Sequence, residues 1–260
     1  MASSKTLVFL DIDGTLLRPD YTTNSNGVPR LIKRLSAKGY VFALNSNRSL
    51  KDLIPIARKF GIKGPIIAEN GVFMIEGGKK SFFLKVPSIH KILRPRLALL
   101  ADEKDIRVKY VDTVRYGKEK KSDTKETWLV NKFREYTASI HVRTNGMHDE
   151  KAAKVLAKRL QNVLPKSYSV SVSPIFANVL VSPKNADKGK AIMRLKRSRF
   201  RNSTIIMVGD DAADLPALKV ANAFYVVGNA DKKIQRNATF VAKKSYTQGV
   251  EEILRYIDRQ

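Results

Sequence analysis

Short, unbroken apolar runs that end on polar residues recur along the chain. Leu7-Val8-Phe9-Leu10 stops at Asp11, Tyr40-Val41-Phe42-Ala43-Leu44 at Asn45-Ser46-Asn47-Arg48, Pro65-Ile66-Ile67-Ala68 at Glu69-Asn70-Gly71, and Thr204-Ile205-Ile206-Met207-Val208 at Gly209-Asp210-Asp211. Runs this short without polar alternation predict strands covered on both faces, as in a parallel sheet. Helical patterns separate them: one over residues 26–38, stopped by Gly39, and one that Ser49 can cap and that ends before Gly61. Asn70-Gly71 predicts a hairpin into Val72-Phe73-Met74-Ile75, closed by Gly77-Gly78. Alternating strand and helix make a doubly wound α/β sheet.

Between residues 82 and 183 the pattern changes to period-two strands and charged helices. Strands are predicted over 107–114, 138–144, 167–173 and 176–182, and helices over 89–103, 126–136 and 148–164. In Ser167-Tyr168-Ser169-Val170-Ser171-Val172-Ser173 the apolar residues share one face and the serines the other, which predicts a sheet packed on helices with a polar, open second face. Residues 116–123 read as a charged, solvated loop. The α/β style returns with a helix from Asp187, the run 204–208, a helix through Leu215-Pro216-Ala217-Leu218, a strand at 224–227 and a closing helix from about Gln248. The predicted organisation is a mostly parallel, Rossmann-like core from residues 1–81 and 184–260, with an α+β domain of residues 82–183 inserted in it.

Composition narrows the class. The chain has 260 residues, 43% of them hydrophobic, and no cysteine, which excludes disulfides and thiolate metal sites. The apolar stretch after Met1-Ala2-Ser3-Ser4-Lys5 is too short for a signal peptide, and no run approaches the roughly 20 residues that span a bilayer, so a soluble, cytoplasmic protein is expected. The 49 Lys+Arg against 24 Asp+Glu give a net charge of +25, a field that attracts phosphorylated metabolites, nucleic acids or anionic surfaces alike.

The polar residues at the strand ends supply what phosphoryl transfer needs. Parallel strands point these ends the same way, so Asp11, Asp13, Ser46, Lys188, Asp210, Asp211 and Asp214 can converge on one crevice. In Asp11-Ile12-Asp13-Gly14-Thr15 one carboxylate can attack phosphorus and the other handle the leaving-group proton, with Gly14 permitting the bend. Crowded carboxylates without Cys or paired His point to Mg2+, with Asp210 as a further ligand, while Lys188 and Ser46 can hold phosphate oxygens.

Taken together, Asp11-x-Asp13-Gly-Thr, Ser46 before Asn47-Arg48, Glu69-Asn70-Gly71, Asp187-Lys188-Gly189-Lys190-Ala191 and Gly209-Asp210-Asp211-x-x-Asp214-Leu215-Pro216 resemble the haloacid dehalogenase superfamily. The resemblance runs the length of the chain, to the branch with a large α/β cap inserted after the third core strand. It implies that Asp11 is the nucleophile and Asp13 the acid/base. Ser46, Asn47, Arg48 and Lys188 fall at the phosphate- and substrate-binding positions. Asp11, the Asp13 carbonyl, Asp210 and Asp214 fall at the Mg2+ positions, with Asp214 binding through water or orienting Lys188. Asn47 stands where the family often has Gly, and Ala213 where it usually has Asn.

The expected activity is hydrolysis of a small phosphate monoester, a sugar phosphate or a phosphoglycolate-like compound, with a phosphomutase of the same core chemistry as an alternative and a nucleic-acid or other polyanion-binding protein on the same fold as a second. Nucleic acid is a possible but less favoured partner: Lys188 to Arg201 is densely basic, yet its single aromatic, Phe200, is not the aromatic interleaving typical of a nucleic-acid groove. Arg48 can clamp a substrate anion or sit as a surface charge, and Glu69-Asn70-Gly71 can be only a turn. His90, His141 and His148 lack metal-ligand spacing, although His141 and Arg143 share a polar strand face.

Overall fold

A computed structural model describes residues 5–103, 106–112, 126–173 and 177–260, in two compact units. One comprises residues 1–84 with 186–260, and the other residues 85–185. In chain order the first unit opens with β1 (Thr6–Leu10), α1 (Val28–Ala37), β2 (Tyr40–Asn45), α2 (Leu50–Phe60), β3 (Ile66–Ala68), β4 (Phe73–Glu76) and β5 (Lys79–Phe82). The second unit holds α3 (Ile89–Asp102), β6 (Arg107–Val111), β7 (Thr127–Asn131), β8 (Ala138–Thr144), β9 (Met147–His148), α4 (Glu150–Val163), β10 (Tyr168–Ser173) and β11 (Asn178–Pro183). The chain then returns through α5 (Lys188–Arg199), β12 (Thr204–Gly209), β13 (Ala223–Val226), α6 (Lys232–Gln235), β14 (Phe240–Val241) and α7 (Tyr246–Asp258).

The first unit is built on an eight-stranded sheet in the order β14-β13-β12-β1-β2-β3-β4-β5. Its first six strands run parallel, and β4 and β5 close the edge as antiparallel hairpins. Strand β1 is central and wholly apolar from Leu7 to Leu10, because helices cover both of its faces. One such face packs Leu7, Phe9 and Met207 against Ala191, Ile192 and Leu195 of α5. From β1 the chain winds outward to β2 and β3; after the excursion through residues 85–185 it winds the other way, from β12 to β13 and β14. The winding reverses between β1 and β12, the place where sheets of this kind open a crevice beyond their carboxyl ends.

Local signals account for the elements. Ser49 caps α2 by accepting from Asp52 N at 3.3 Å, and Gly61 ends it with φ 71°. Asp187 caps α5 through Lys190 N at 2.8 Å, which fixes the first turn of that helix and with it Lys188.

The second unit has its own sheet, β10-β11-β8-β7-β6 with β9 on β8, and its own core of Trp128, Ile140, Val142, Val179, Leu93, Leu97, Leu156 and Leu160. Two expectations are corrected here. Residues 126–136 do not form a helix: β7 occupies Thr127–Asn131, and all five of its residues are buried, so the period-two signal vanishes. The β-branched and aromatic content of Thr127-Trp128-Leu129-Val130 was the informative feature. The polar sheet face is not open throughout either, since Thr127, Ser139, His141 and Arg143 are buried, whereas Ser171 near the edge is exposed. The charged loop at 116–123, the end of the strand expected over 107–114 and the start of that over 176–182 lie outside the described residues. Among the described residues no helix is long and apolar enough to cross a membrane.

Candidate active site

Adjacent strands at the winding reversal deliver the acidic residues. Asp11 leaves β1 with its amide donating to Val208 O of β12 at 2.9 Å, and Asp210 follows β12 directly. The first residue of α5, Lys188, places its ammonium between two carboxylates, 2.7 Å from Asp11 Oδ1 and 2.8 Å from Asp214 Oδ1. The other Asp214 oxygen accepts from the amides of Asp210 and Asp211, at 3.1 and 3.3 Å. Asp214 therefore orients Lys188 with one oxygen and folds the Gly-Asp-Asp loop with the other.

Two glycines permit this packing. A Cβ on Gly209 would stand 2.2 Å from Asp214 Oδ2, so any other residue there would expel the carboxylate. Gly14, at φ +84°, turns the chain after Asp13 and lies so near Asp210 that a Cβ would meet its Oδ2 at 2.1 Å.

Asp11, Asp210 and Asp214 each offer a carboxylate oxygen, and these oxygens lie within 4.8 Å of one another. Three anions share one buried cation, and their protonation reflects it. Burial drives the Asp11 carboxyl well above its ordinary range; Lys188 offsets part of this, and Asp214, Asp210 and Asp211 add to it. Asp210 is pushed up to about 7, first by burial, against the pull of a 2.6 Å hydrogen bond from Thr15 Oγ1. Asp214 is raised for the same first reason. Burial acts to discharge Lys188, but Asp11, Asp214 and Asp211 outweigh it and the ammonium stays protonated. One more cation among these oxygens would restore all three carboxylates. An oxygen-only donor set of this charge suits a hard divalent ion such as Mg2+.

The remaining expected residues divide. Ser46 is buried at the end of β2, and its Oγ accepts from Arg48 N at 3.2 Å. The Asp13 carboxylate lies outside the three-carboxylate cluster and takes a two-pronged bond from Arg48, Nε to Oδ2 at 2.8 Å and Nη2 to Oδ1 at 2.5 Å. Asn47 is half-buried in the same loop. Glu69-Asn70-Gly71 forms a tight turn between β3 and β4 with all three residues at positive φ, in the left-handed region. It also serves the site, because Glu69 N donates to Arg48 O and Asn70 N to Ser46 O.

Three contributors escaped the sequence reading. Thr15 holds Asp210, Asn229 donates to Gly14 O at 2.8 Å, and the Tyr21 ring lies 4.6 Å from the Arg48 guanidinium. Asn229 had a signal, as it stands in the polar turn after β13, a fifth strand end like the four already considered. Tyr21 had none, since only the folded loop brings it beside Arg48.

A Rossmann-like sheet with a carboxylate at the end of its central strand, a buried lysine and a Gly-Asp-Asp loop defines a class of hydrolase. The chain belongs to the haloacid dehalogenase-like hydrolases, whose pattern it matches over residues 8–254. It is 24% identical over 254 residues to a phosphoglycolate phosphatase of Staphylothermus marinus, covering 96% of this chain and 97% of that one. With a mannosyl-3-phosphoglycerate phosphatase of Pyrococcus furiosus it shares 25% over 255 residues, or 90% and 96% of the two chains. A haloacid dehalogenase-like hydrolase from Bacteroides thetaiotaomicron superposes with a TM-score of 0.75 at 19% identity, over 98% of this chain and all of that one.

Proposed function

We propose that this protein is a Mg2+-dependent phosphatase that cleaves a small phosphate monoester through an aspartyl-phosphate on Asp11. The observation that carries this reading is the Asp11 carboxylate at the end of the central strand, gripped by Lys188 beside the buried Asp214 and the half-buried Asp210 carboxylates.

In the first step an Asp11 oxygen attacks phosphorus, the P–O bond to the ester oxygen breaks, and that oxygen takes a proton from Asp13. In the second, water attacks the phosphoryl group, Asp13 accepts the water proton, and the Asp11–phosphorus bond breaks to give inorganic phosphate and the free carboxylate. Lys188 and Ser46 bind phosphoryl oxygens, and Asp214 keeps Lys188 in place. Asp11 and Asp210, with Asp214 beside them, would hold the Mg2+, which when bound neutralises charge on the transferring group.

The relatives named above act on phosphoglycolate and mannosyl-3-phosphoglycerate by their names, which supports a phosphorylated metabolite of this size as substrate. Residues 85–185 are assigned the role of an inserted cap that selects it, with Ser171, Ser173, Asn178, His141 and Arg143 on the polar face of its sheet as candidate selectors.

The test is phosphate release from a panel of sugar phosphates, phosphoglycolate, nucleotides and an aryl phosphate, with Mg2+ or EDTA. Release that needs Mg2+ and is lost in Asp11→Asn supports the reading. Absence of release from every ester by folded, Mg2+-supplied wild type overturns it.

A further inference from the structure

The Arg48 side chain is enclosed, 12% exposed, whereas that of its partner Asp13 is 43% exposed. The guanidinium therefore lies behind the carboxylate, with Nε and Nη2 both directed at it. A two-pronged bond of this kind fixes the plane of a carboxylate as well as its position.

The arginine is itself held from three sides. Its amide donates to Ser46 Oγ, its carbonyl accepts from Glu69 N at 3.0 Å, and the Tyr21 ring lies against its head. Two of these supports use unfavourable backbone. Glu69 has φ 49° and Tyr21 φ 64°, conformations that bulky side chains rarely adopt and that persist only where the surroundings impose them. Strain on both sides of one arginine marks it as a placed group.

We propose that Arg48, braced by Tyr21, positions the Asp13 carboxylate for its work on the attacking water, and is not a clamp on the substrate. The proposal rests on the phosphatase reading above. The two-pronged bond fixes the Asp13 carboxylate, the group assigned to accept a proton when water attacks the aspartyl-phosphate and releases phosphate. Arg48 thereby acts chiefly in the second step, the breakdown of the phosphorylated enzyme.

The consequence is a particular kinetic pattern with an aryl phosphate such as p-nitrophenyl phosphate, whose good leaving group makes formation of the aspartyl-phosphate the easier step. In Arg48→Ala, kcat is expected to fall about 10-fold or more, since a positioned acid/base contributes about 10²–10⁴-fold and misplacing it forfeits part of that. KM falls in parallel, kcat/KM stays within about threefold, and a burst of p-nitrophenolate matching the enzyme concentration appears, because phosphorylated enzyme now accumulates. Arg48→Lys and Tyr21→Leu keep the fold under less perturbation and should show the same pattern more weakly.

A raised KM with unchanged kcat would make Arg48 a substrate ligand and overturn the proposal. An equal fall in kcat and kcat/KM without a burst, in folded protein, would reduce Arg48 to a structural role. Wild type that releases nothing from the ester sinks the phosphatase reading as well; active wild type with variants lacking the burst sinks this proposal alone.

Discussion

At the scale of single residues the site is a charge imbalance held in place by packing. Asp11, Asp210 and Asp214 outnumber Lys188, and burial makes the surplus costly. A carboxyl group whose folded pKa is raised binds more protons in the folded than in the unfolded state between the two values. For Asp210 that window runs from the ordinary carboxylate range to about 7, and stability falls as pH rises through it. In EDTA, wild type should lose more stability than Asp210→Asn as pH goes from about 4.5 to 7.5, and the variant should be the more stable of the two at pH 7.5; urea melts across that range check both. Parallel curves for the two proteins would contradict the imbalance. Replacing Lys188 with Met removes the cation that two buried carboxylates share, and breaking a buried ion pair from one side costs about 3–5 kcal/mol. Denaturant unfolding of the metal-free variant measures this.

At the scale of elements the candidate site follows from strand ends. Each buried run from β1 to β12 stops where polar residues begin, and those polar residues were legible in the sequence because a parallel strand buried on both faces cannot carry them earlier. The helices flanking them were equally legible wherever a cap was written in, as at Ser49 and Asp187. Removing the Ser49 hydroxyl with Ser49→Ala should cost about 1 kcal/mol, seen as a lower Tm with the fold retained. The second unit was harder to read. Strand β7 is buried on both faces inside a mostly antiparallel sheet, so neither alternation nor a long run betrayed it. The short elements β9, α6 and β14 have too few residues to carry a period. The link between Arg48, Asp13 and Tyr21 was illegible for another reason: Asp13 and Arg48 were each legible as site residues, but loop geometry alone decides that Arg48 pairs with Asp13 and that Tyr21 lies beside it.

At the scale of the whole molecule, two cores are built around separate sheets, and the described acidic site draws all its residues from one of them. Trp128, among the largest fully buried side chains, belongs to the other core. Trp128→Ala should destabilise residues 85–185 by about 3–5 kcal/mol. It should leave Mg2+ binding by the first unit intact, which titration calorimetry of the folded variant would detect. Binding that only the folded state offers must also stabilise it, by about 2.7 kcal/mol at a hundredfold excess over Kd. Mg2+ is thus expected to raise the Tm of wild type and not that of Asp210→Asn. The +25 charge favours encounter with anions of any kind and by itself selects none of them.

The central claim is that Asp11 carries the phosphoryl group between substrate and water. Its most direct test is acid quenching during turnover of the best ester, followed by mass spectrometry of the peptide that contains Asp11. The account predicts one phosphoryl group on Asp11 in wild type and none, with no turnover, in Asp11→Asn. Full-rate phosphate release by Asp11→Asn, or a phosphoryl group trapped on a different residue, would contradict it.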